Sequence, residues 1–279
     1  MTAKKAKVAF GSDMPIEELI FSTRAGAAID DRTLEQMVDA YNTYGFFILD
    51  CPPRPDPRED LLAIAPFFGR VVTHNRSDHY GILAVNPEKK VDGFIDSTNQ
   101  AHPPHTDGAF KDQPEKVITL QCVVPADSGG TSLLGSAKLA HDTLAAMDPD
   151  AASLLYDDEV MSIRRNDQTS TKAVFRREGE RLSLCYRMDQ AAKTHIKPLA
   201  QEGFRRLKAI IDDSLLRFDL APHQILVIDN SSLVHGRDSF PQGADRRYHR
   251  LNFDGDGLLD LVHGFIPEIT PASAPISAA

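Results

Sequence analysis

His105-Thr106-Asp107 places an imidazole and a carboxylate two residues apart. On an extended strand such residues point to the same face, so both can reach one ion. With a third ligand from a distant strand they would form the 2-His-1-carboxylate triad of an Fe(II) oxygenase. The spacing alone carries no weight, because 10 His and 29 Asp among 279 residues supply about one H-x-D by chance, and one is present. The third ligand has to come from the other histidines. His235 has the setting for it, one strand step beyond the turn Asp229-Asn230-Ser231-Ser232 that closes the apolar run Gln224 to Ile228, and next to Gly236.

The elements that must hold these residues can be read from periodicity. Leu34, Met37, Val38 and Tyr41 recur at helical spacing behind Asp31 and Thr33 as caps, so a helix is predicted over 33–44, ended by Gly45. Phe46 to Leu49 is a buried strand by its continuous apolar character, and a second helix over 57–68 follows Pro57 and stops before Gly69. Strands are expected at 71–74, 80–85, 117–124, 131–134, 160–163, 173–176, 182–186, 224–228, 233–235 and 248–253. Helices are expected at 136–146, 149–155 and 199–217, the last carrying Phe204, Leu207, Ile211, Leu215 and Phe218 on one stripe. Residues 86–104 form a polar, Pro- and Gly-punctuated connection of unusual length, read as a lid or binding loop that makes Asn99 a candidate substrate contact. Helices early and short strands later point to an α+β protein with an antiparallel barrel or jelly roll. No repeat or composition break divides the chain, so one domain over 1–279 is expected, with a loose lead-in at 1–12 and a disordered tail at 270–279.

Composition narrows the function classes. An apolar fraction of 42% with 25% charged residues is that of a globular protein, and a net charge of −9 without a basic block argues against nucleic acid or an anionic membrane as partner. No segment approaches the roughly 18 apolar residues a membrane span needs. Cys51, Cys122 and Cys185 lie far apart, an odd set without C-x-x-C, which fits buried thiols in a reducing cytoplasm. Asp254-Gly255-Asp256-Gly257 lacks the remaining ligands of a calcium loop and reads as a turn.

Taken in order, His-Thr-Asp-Gly (105–108), Gly-Gly-Thr-Ser (129–132), Ile-Asp-Asn (228–230), Val-His-Gly-Arg (234–237) and Asp-Arg-Arg-Tyr-His-Arg (245–250) resemble the taurine dioxygenase (TauD/TfdA) family, with its clavaminate-synthase-like and butyrobetaine-hydroxylase-like members. The resemblance runs over roughly 30–255. It implies a double-stranded β-helix (jelly-roll) core flanked by helices, with Fe(II), 2-oxoglutarate and O2 as cofactor and co-substrates. It also implies that His105, Asp107 and His235 are the metal ligands and that Arg246 grips the far carboxylate of 2-oxoglutarate, a task for which a guanidinium fork is suited. A hydroxyl after the Gly-Gly turn should assist, and Ser132 falls in the family's register with Thr131 one place early, which leaves the choice between them open. Arg250 and His74 match substrate contacts of relatives, so the expected partner is a small molecule that is anionic or amino-acid-like, hydroxylated with release of succinate and CO2. A homo-oligomer is left open. Two rivals stand beside this expectation: a metal-dependent barrel enzyme that uses the ion as a Lewis acid without 2-oxoglutarate, and a non-catalytic binding protein on the same scaffold.

Overall fold

The computed structural model describes residues 6–23, 29–87 and 93–270. Its strands are β1 (Ile20–Ser22), β2 (Phe46–Asp50), β3 (Leu83–Val85), β4 (His102–His105), β5 (Val117–Val124), β6 (Ser132–Ser136), β7 (Met161–Arg165), β8 (Gln168–Lys172), β9 (Phe175–Glu178), β10 (Arg181–Leu184), β11 (Lys193–Ile196), β12 (Leu216–Phe218), β13 (Gln224–Asp229), β14 (Leu233–Arg237) and β15 (Arg247–Phe253). Its helices are α1 (Asp31–Tyr44), α2 (Arg58–Phe68), α3 (Ala137–Met147), α4 (Pro149–Leu154) and α5 (Gln201–Asp213). A six-stranded sheet runs β1-β2-β13-β5-β15-β3, and a four-stranded sheet runs β12-β6-β14-β4. Only the β1–β2 pair in these two sheets is parallel.

Alternation along the strands decides what each face meets. In the four-stranded sheet Leu134, Leu216, Phe218 and Leu233 join one apolar cluster with Ile118, Val227 and Leu251 of the larger sheet. Their neighbours Leu133, Leu215 and Val234 point the other way, into a second cluster with Leu144 of α3 and Leu207 and Ile211 of α5. The smaller sheet therefore separates two cores, and the residues that share a face with Leu134 and Leu233, namely Ser132 and His235, are turned toward the larger sheet. Helices α1 and α2 cover that larger sheet with Met37, Tyr41, Leu61, Ile64 and Phe68.

Most expected elements form, and the departures have local causes. Helix α1 begins two residues earlier than periodicity suggests because Asp30 caps it, accepting from the Thr33 N–H at 2.9 Å. The helix expected to 217 ends at Asp213, where the Ser214 hydroxyl turns back to the Ile210 carbonyl at 2.7 Å. The Leu-Leu-x-Phe continuation fits a helical stripe and a strand equally, and pairing of Leu216 to Phe218 with β6 decides for the strand. Strands β8 and β11 went unanticipated because Gln168–Lys172 and Lys193–Ile196 are mostly polar, with half their side chains turned outward. Residues 71–74 and 80–82 are not strands: Val71 makes a single bridge to Phe253, and Asp78 caps a turn by accepting from the Tyr80 and Ile82 N–H groups. The lead-in is tied down within its described part, since Lys7 and Phe10 are buried and Lys7 pairs with buried Asp229 at 3.2 Å. Most of the expected tail, 271–279, lies outside the described residues.

Candidate metal centre and its two cavities

His105 and His235 face each other directly across the β4–β14 pair, with ring centres 4.5 Å apart. Strand β4 can carry Pro103 and Pro104 because it is an edge strand with one neighbour. Asp107 is not on that strand: β4 ends at His105, so alternation along a strand is not what aims the carboxylate. A side-chain clamp does so instead. The Asn230 amide accepts the Asp107 N–H at 2.8 Å and donates to the carbonyls of Asp107 at 2.9 Å and Glu115 at 2.7 Å. Gly108 follows with φ +66°, a left-handed conformation that side chains rarely adopt, and a Cβ there would also lie 3.2 Å from the Pro114 Cα, so the turn favours glycine.

The three side chains offer ligand atoms within 4.8 Å of one another, and all three are buried. The His105 Nδ1 lies 2.9 Å from the Pro103 carbonyl, which assigns its proton to Nδ1 and leaves Nε2 a lone pair. That Nε2 and the His235 Nδ1 are buried without a hydrogen-bond partner. Buried polar atoms are seldom left so, and a divalent ion would satisfy them. Two imidazoles and one carboxylate form a donor set suited to Fe(II) with open positions. Burial and the neighbouring His105 pull the His235 pKa down to about 3, so the ring stays neutral and ligand-competent. For Asp107, burial alone would favour the protonated acid, but Arg250 and the contact with His105 outweigh it and hold the carboxyl well below its usual range.

Two cavities meet at this cluster. The first is lined by Leu120, Ser132, His235, Arg246, Tyr248 and Leu226, among others. The second is lined by His74, Phe110, Lys111, Glu115, Arg165 and Arg187, with Asp107 in its wall. Asp96, His102 and Arg250 line both. A larger groove of about 530 Å³ lies elsewhere, bordered by Lys116, Lys172, Arg176 and Arg181 together with Asp112, Glu115, Asp158 and Glu178. Its opposite charges balance, and the only set of close metal-ligating side chains among the described residues is the triad, which makes the smaller cavities the candidate site.

Arg246 stands across the first cavity. It is buried and has no ion pair with a carboxylate among the described residues, and its guanidinium carbon sits 3.8 Å from the Tyr248 ring centre. The Gly-Gly turn makes room for it. Gly130 has φ +73°, and a Cβ there would come within 3.0 Å of the Arg246 Nε. Of the two hydroxyl candidates, Ser132 is buried and lines this cavity, whereas Thr131 does not and spends its carbonyl on the Asp238 N–H.

Arg250 is not held by a surface carboxylate: it pairs with Asp107 at 3.0 Å. His74 lines the second cavity from a turn, its Nδ1 accepting the Arg76 N–H at 3.2 Å, and burial with Arg250 nearby lowers its pKa to about 4. Asn99 lines neither cavity. Its amide donates to the Phe240 carbonyl at 3.1 Å, so it fastens the loop rather than facing a ligand. Arg237 fastens the same loop by donating to the carbonyls of Ile95, Thr98 and Gln100.

Several site residues escaped the sequence reading. His102 stacks on His105 with ring centres 3.9 Å apart and approaches Asp189 at 3.5 Å. Asn252 reaches Asp107 at 3.3 Å. Only the H-x-x-H spacing of His102 and His105 offered a hint, and the clamp by Asn230 left no sequence signal beyond a turn.

Comparison with known proteins agrees with this geometry. The family described as "Taurine catabolism dioxygenase TauD, TfdA family" matches residues 6–252. A uridine-5'-phosphate dioxygenase from Streptomyces sp is 28% identical over 242 residues, covering 77% of this chain and 85% of that protein. An asparagine oxygenase solved with Fe(II), 3-hydroxyasparagine and succinate superposes with a TM-score of 0.61 at 19% identity, over 80% of this chain and 84% of that one. A taurine dioxygenase from Burkholderia xenovorans gives a TM-score of 0.63 at 14% identity, over 90% and 91% of the two chains. With the match spanning nearly its whole length and the iron-type donor set in place, the chain belongs to the TauD/TfdA family of Fe(II)- and 2-oxoglutarate-dependent dioxygenases.

Proposed function

We propose that this enzyme hydroxylates a C–H bond of a small anionic or amino-acid-like substrate, with His105, Asp107 and His235 as iron ligands and Arg246 with Ser132 as the seat of the 2-oxoglutarate carboxylate. The observation that carries this reading is Arg246: a buried guanidinium without a carboxylate partner, sharing a cavity with His105 and His235. A buried charge left unpaired is costly, so the site is built for an anion that arrives with the co-substrate. Bound iron with 2-oxoglutarate supplies the oxidising power, and succinate and CO2 leave as co-products.

The chain's own groups bind, orient and shield. Asn230 and Asn252 fix Asp107, and Arg250 keeps it ionised. Ser132 and Arg246 reach the first cavity from β6 and from the residue just before β15, so the co-substrate would span the two sheets. The second cavity, with His74 in its wall, would receive the substrate. Leu120, Leu226 and Leu133 line the first cavity and exclude water there. We further take the two facing sheets as a double-stranded β-helix within one domain over the chain. The three buried free cysteines are in keeping with a cytoplasmic enzyme, and no helix among the described residues is long and apolar enough to cross a membrane.

Adding Fe(II) and 2-oxoglutarate without oxygen tests the proposal, because a visible charge-transfer band requires ligation and chelation together. Arg246→Ala should weaken 2-oxoglutarate binding about 10- to 100-fold, the worth of a charge-assisted hydrogen bond, with Fe(II) uptake retained. Unchanged 2-oxoglutarate affinity in that variant would favour a Lewis-acid enzyme, and no Fe(II) uptake by the wild type would favour a non-catalytic scaffold.

A further inference from the structure

The second cavity contains a cation that nothing yet described uses. Arg165 closes β7, and its guanidinium carbon lies 4.9 Å from the Phe94 ring centre and 5.2 Å from that of Phe110. Its backbone pairs with β8, but among the described residues its guanidinium has no hydrogen bond or ion pair, although it lines the cavity. The other cations there are matched: Arg250 with Asp107 at 3.0 Å, Lys111 with Glu115 at 2.6 Å and Arg187 with Asp189 at 2.7 Å. Arg187, buried with its guanidinium carbon 5.9 Å from the Phe110 ring centre, still has its Nε without a partner. His74 accepts at Nδ1, which puts its proton on Nε2 and makes it a neutral donor.

We propose that Arg165, Arg187 and His74 form a subsite for a phosphate monoester on the substrate. The proposal rests on the dioxygenase reading and deepens it. One carboxylate is satisfied by one guanidinium fork. Here the donors come instead from three separate segments, β7, the link between β10 and β11, and the turn after α2. Three acceptor oxygens with nearly two negative charges match that arrangement. The aromatic contacts partly shield half-buried Arg165 from water, so its attraction to an anion is less screened than at an open surface. That a relative acts on uridine 5'-phosphate is independent support for the same chemistry. A sulfonate offers the same three oxygens with a single charge, so it should bind more weakly.

The Fe(II)·2-oxoglutarate protein, held without oxygen, should be titrated calorimetrically with inorganic phosphate, uridine 5'-phosphate, uridine and taurine, after the visible band has formed. Phosphate and uridine 5'-phosphate should bind, with uridine and taurine at least tenfold weaker. Arg165→Gln should weaken both phosphates about 10- to 100-fold while the band and 2-oxoglutarate affinity stay unchanged, and Arg165→Lys should recover part of the loss. Failure of both phosphates to bind the wild type, equal binding of taurine, or wild-type affinity in Arg165→Gln would each overturn the subsite. Absence of the band in the wild type would overturn the dioxygenase reading instead, so the two failures are distinct.

Discussion

Asp107 and Arg250 make one unit at the scale of single residues. The carboxylate is the candidate iron ligand, and the guanidinium 3.0 Å away is what keeps it charged inside the protein. Removing the acid therefore does two things at once. Asp107→Ala should abolish turnover and Fe(II) binding, and it should also take from the largely buried Arg250 its ion-pair partner, a defect of at most about 3–5 kcal/mol because Asp96 and Glu115 still act on the guanidinium. Thermal denaturation of the metal-free protein checks the second effect. If the pair is as described, Asp107→Ala/Arg250→Met should recover most of the lost melting temperature while remaining inactive. A double variant no more stable than the single one would mean that Arg250 is satisfied elsewhere.

The turn between β13 and β14 governs the site at the scale of elements. Asp229 and Asn230 are adjacent, yet they serve opposite directions: Asp229 anchors Lys7 and the Gly264 N–H, and Asn230 holds the segment that carries Asp107. Because β14 continues from this turn to His235, one turn sets the spacing of two candidate ligands that are 128 residues apart in the chain. Outer hydrogen bonds of this kind are commonly worth about 10- to 100-fold in metal affinity. Asn230→Ala should weaken Fe(II) binding by that amount and destabilise the fold by about 1–3 kcal/mol, since buried backbone groups lose their partner. Asn230→Asp keeps the acceptor for the Asp107 N–H but loses both donors, so its Fe(II) affinity should fall between the two. The loop before β4 belongs at this scale as well. It was expected as a lid or binding loop; in its described part Arg237 and Asn99 fasten it by hydrogen bonds, and its Ile95 and Asp96 line the second cavity.

Packing neutral imidazoles inside has a cost in acid that belongs to the whole molecule. His235 titrates at about 3 when folded against about 6.5 when unfolded. Between those values the unfolded chain holds the extra proton, so stability is complete above about pH 6.5 and is lost as pH falls toward 3. The buried His102 is shifted in the same direction, with burial again the leading cause. For His235 alone the loss from pH 6.5 to 5 is about 2 kcal/mol at 1.4 kcal/mol per pH unit. Urea midpoints of the metal-free protein at pH 7 and pH 5 should differ accordingly, and His235→Gln should reduce the difference. A midpoint independent of pH would show that His235 is not buried in the neutral form.

What could be read from residues alone was the alphabet of the site and the order of its parts. His105, Asp107, His235 and Arg246 were legible as candidates because their order and spacing survive as a linear pattern, whereas the choice between Thr131 and Ser132 stayed open; β5 and β13 were legible because continuous apolar runs have few other uses. Other residues depend on contacts between segments far apart in the chain, which no local period records. Asn230 looks like an ordinary turn residue until Asp107 is folded against it, and Arg165 lies two residues past the expected strand 160–163, at the turn into polar β8, where no pattern shows that it faces a cavity. Arg250 could be placed on its strand from the sequence, but only packing of β15 beside the turn after β4 determined that its partner is the candidate metal ligand. The chemistry was thus written in residue types, and its aim came from hydrogen bonds and ion pairs that exist only once the sheets have closed around them.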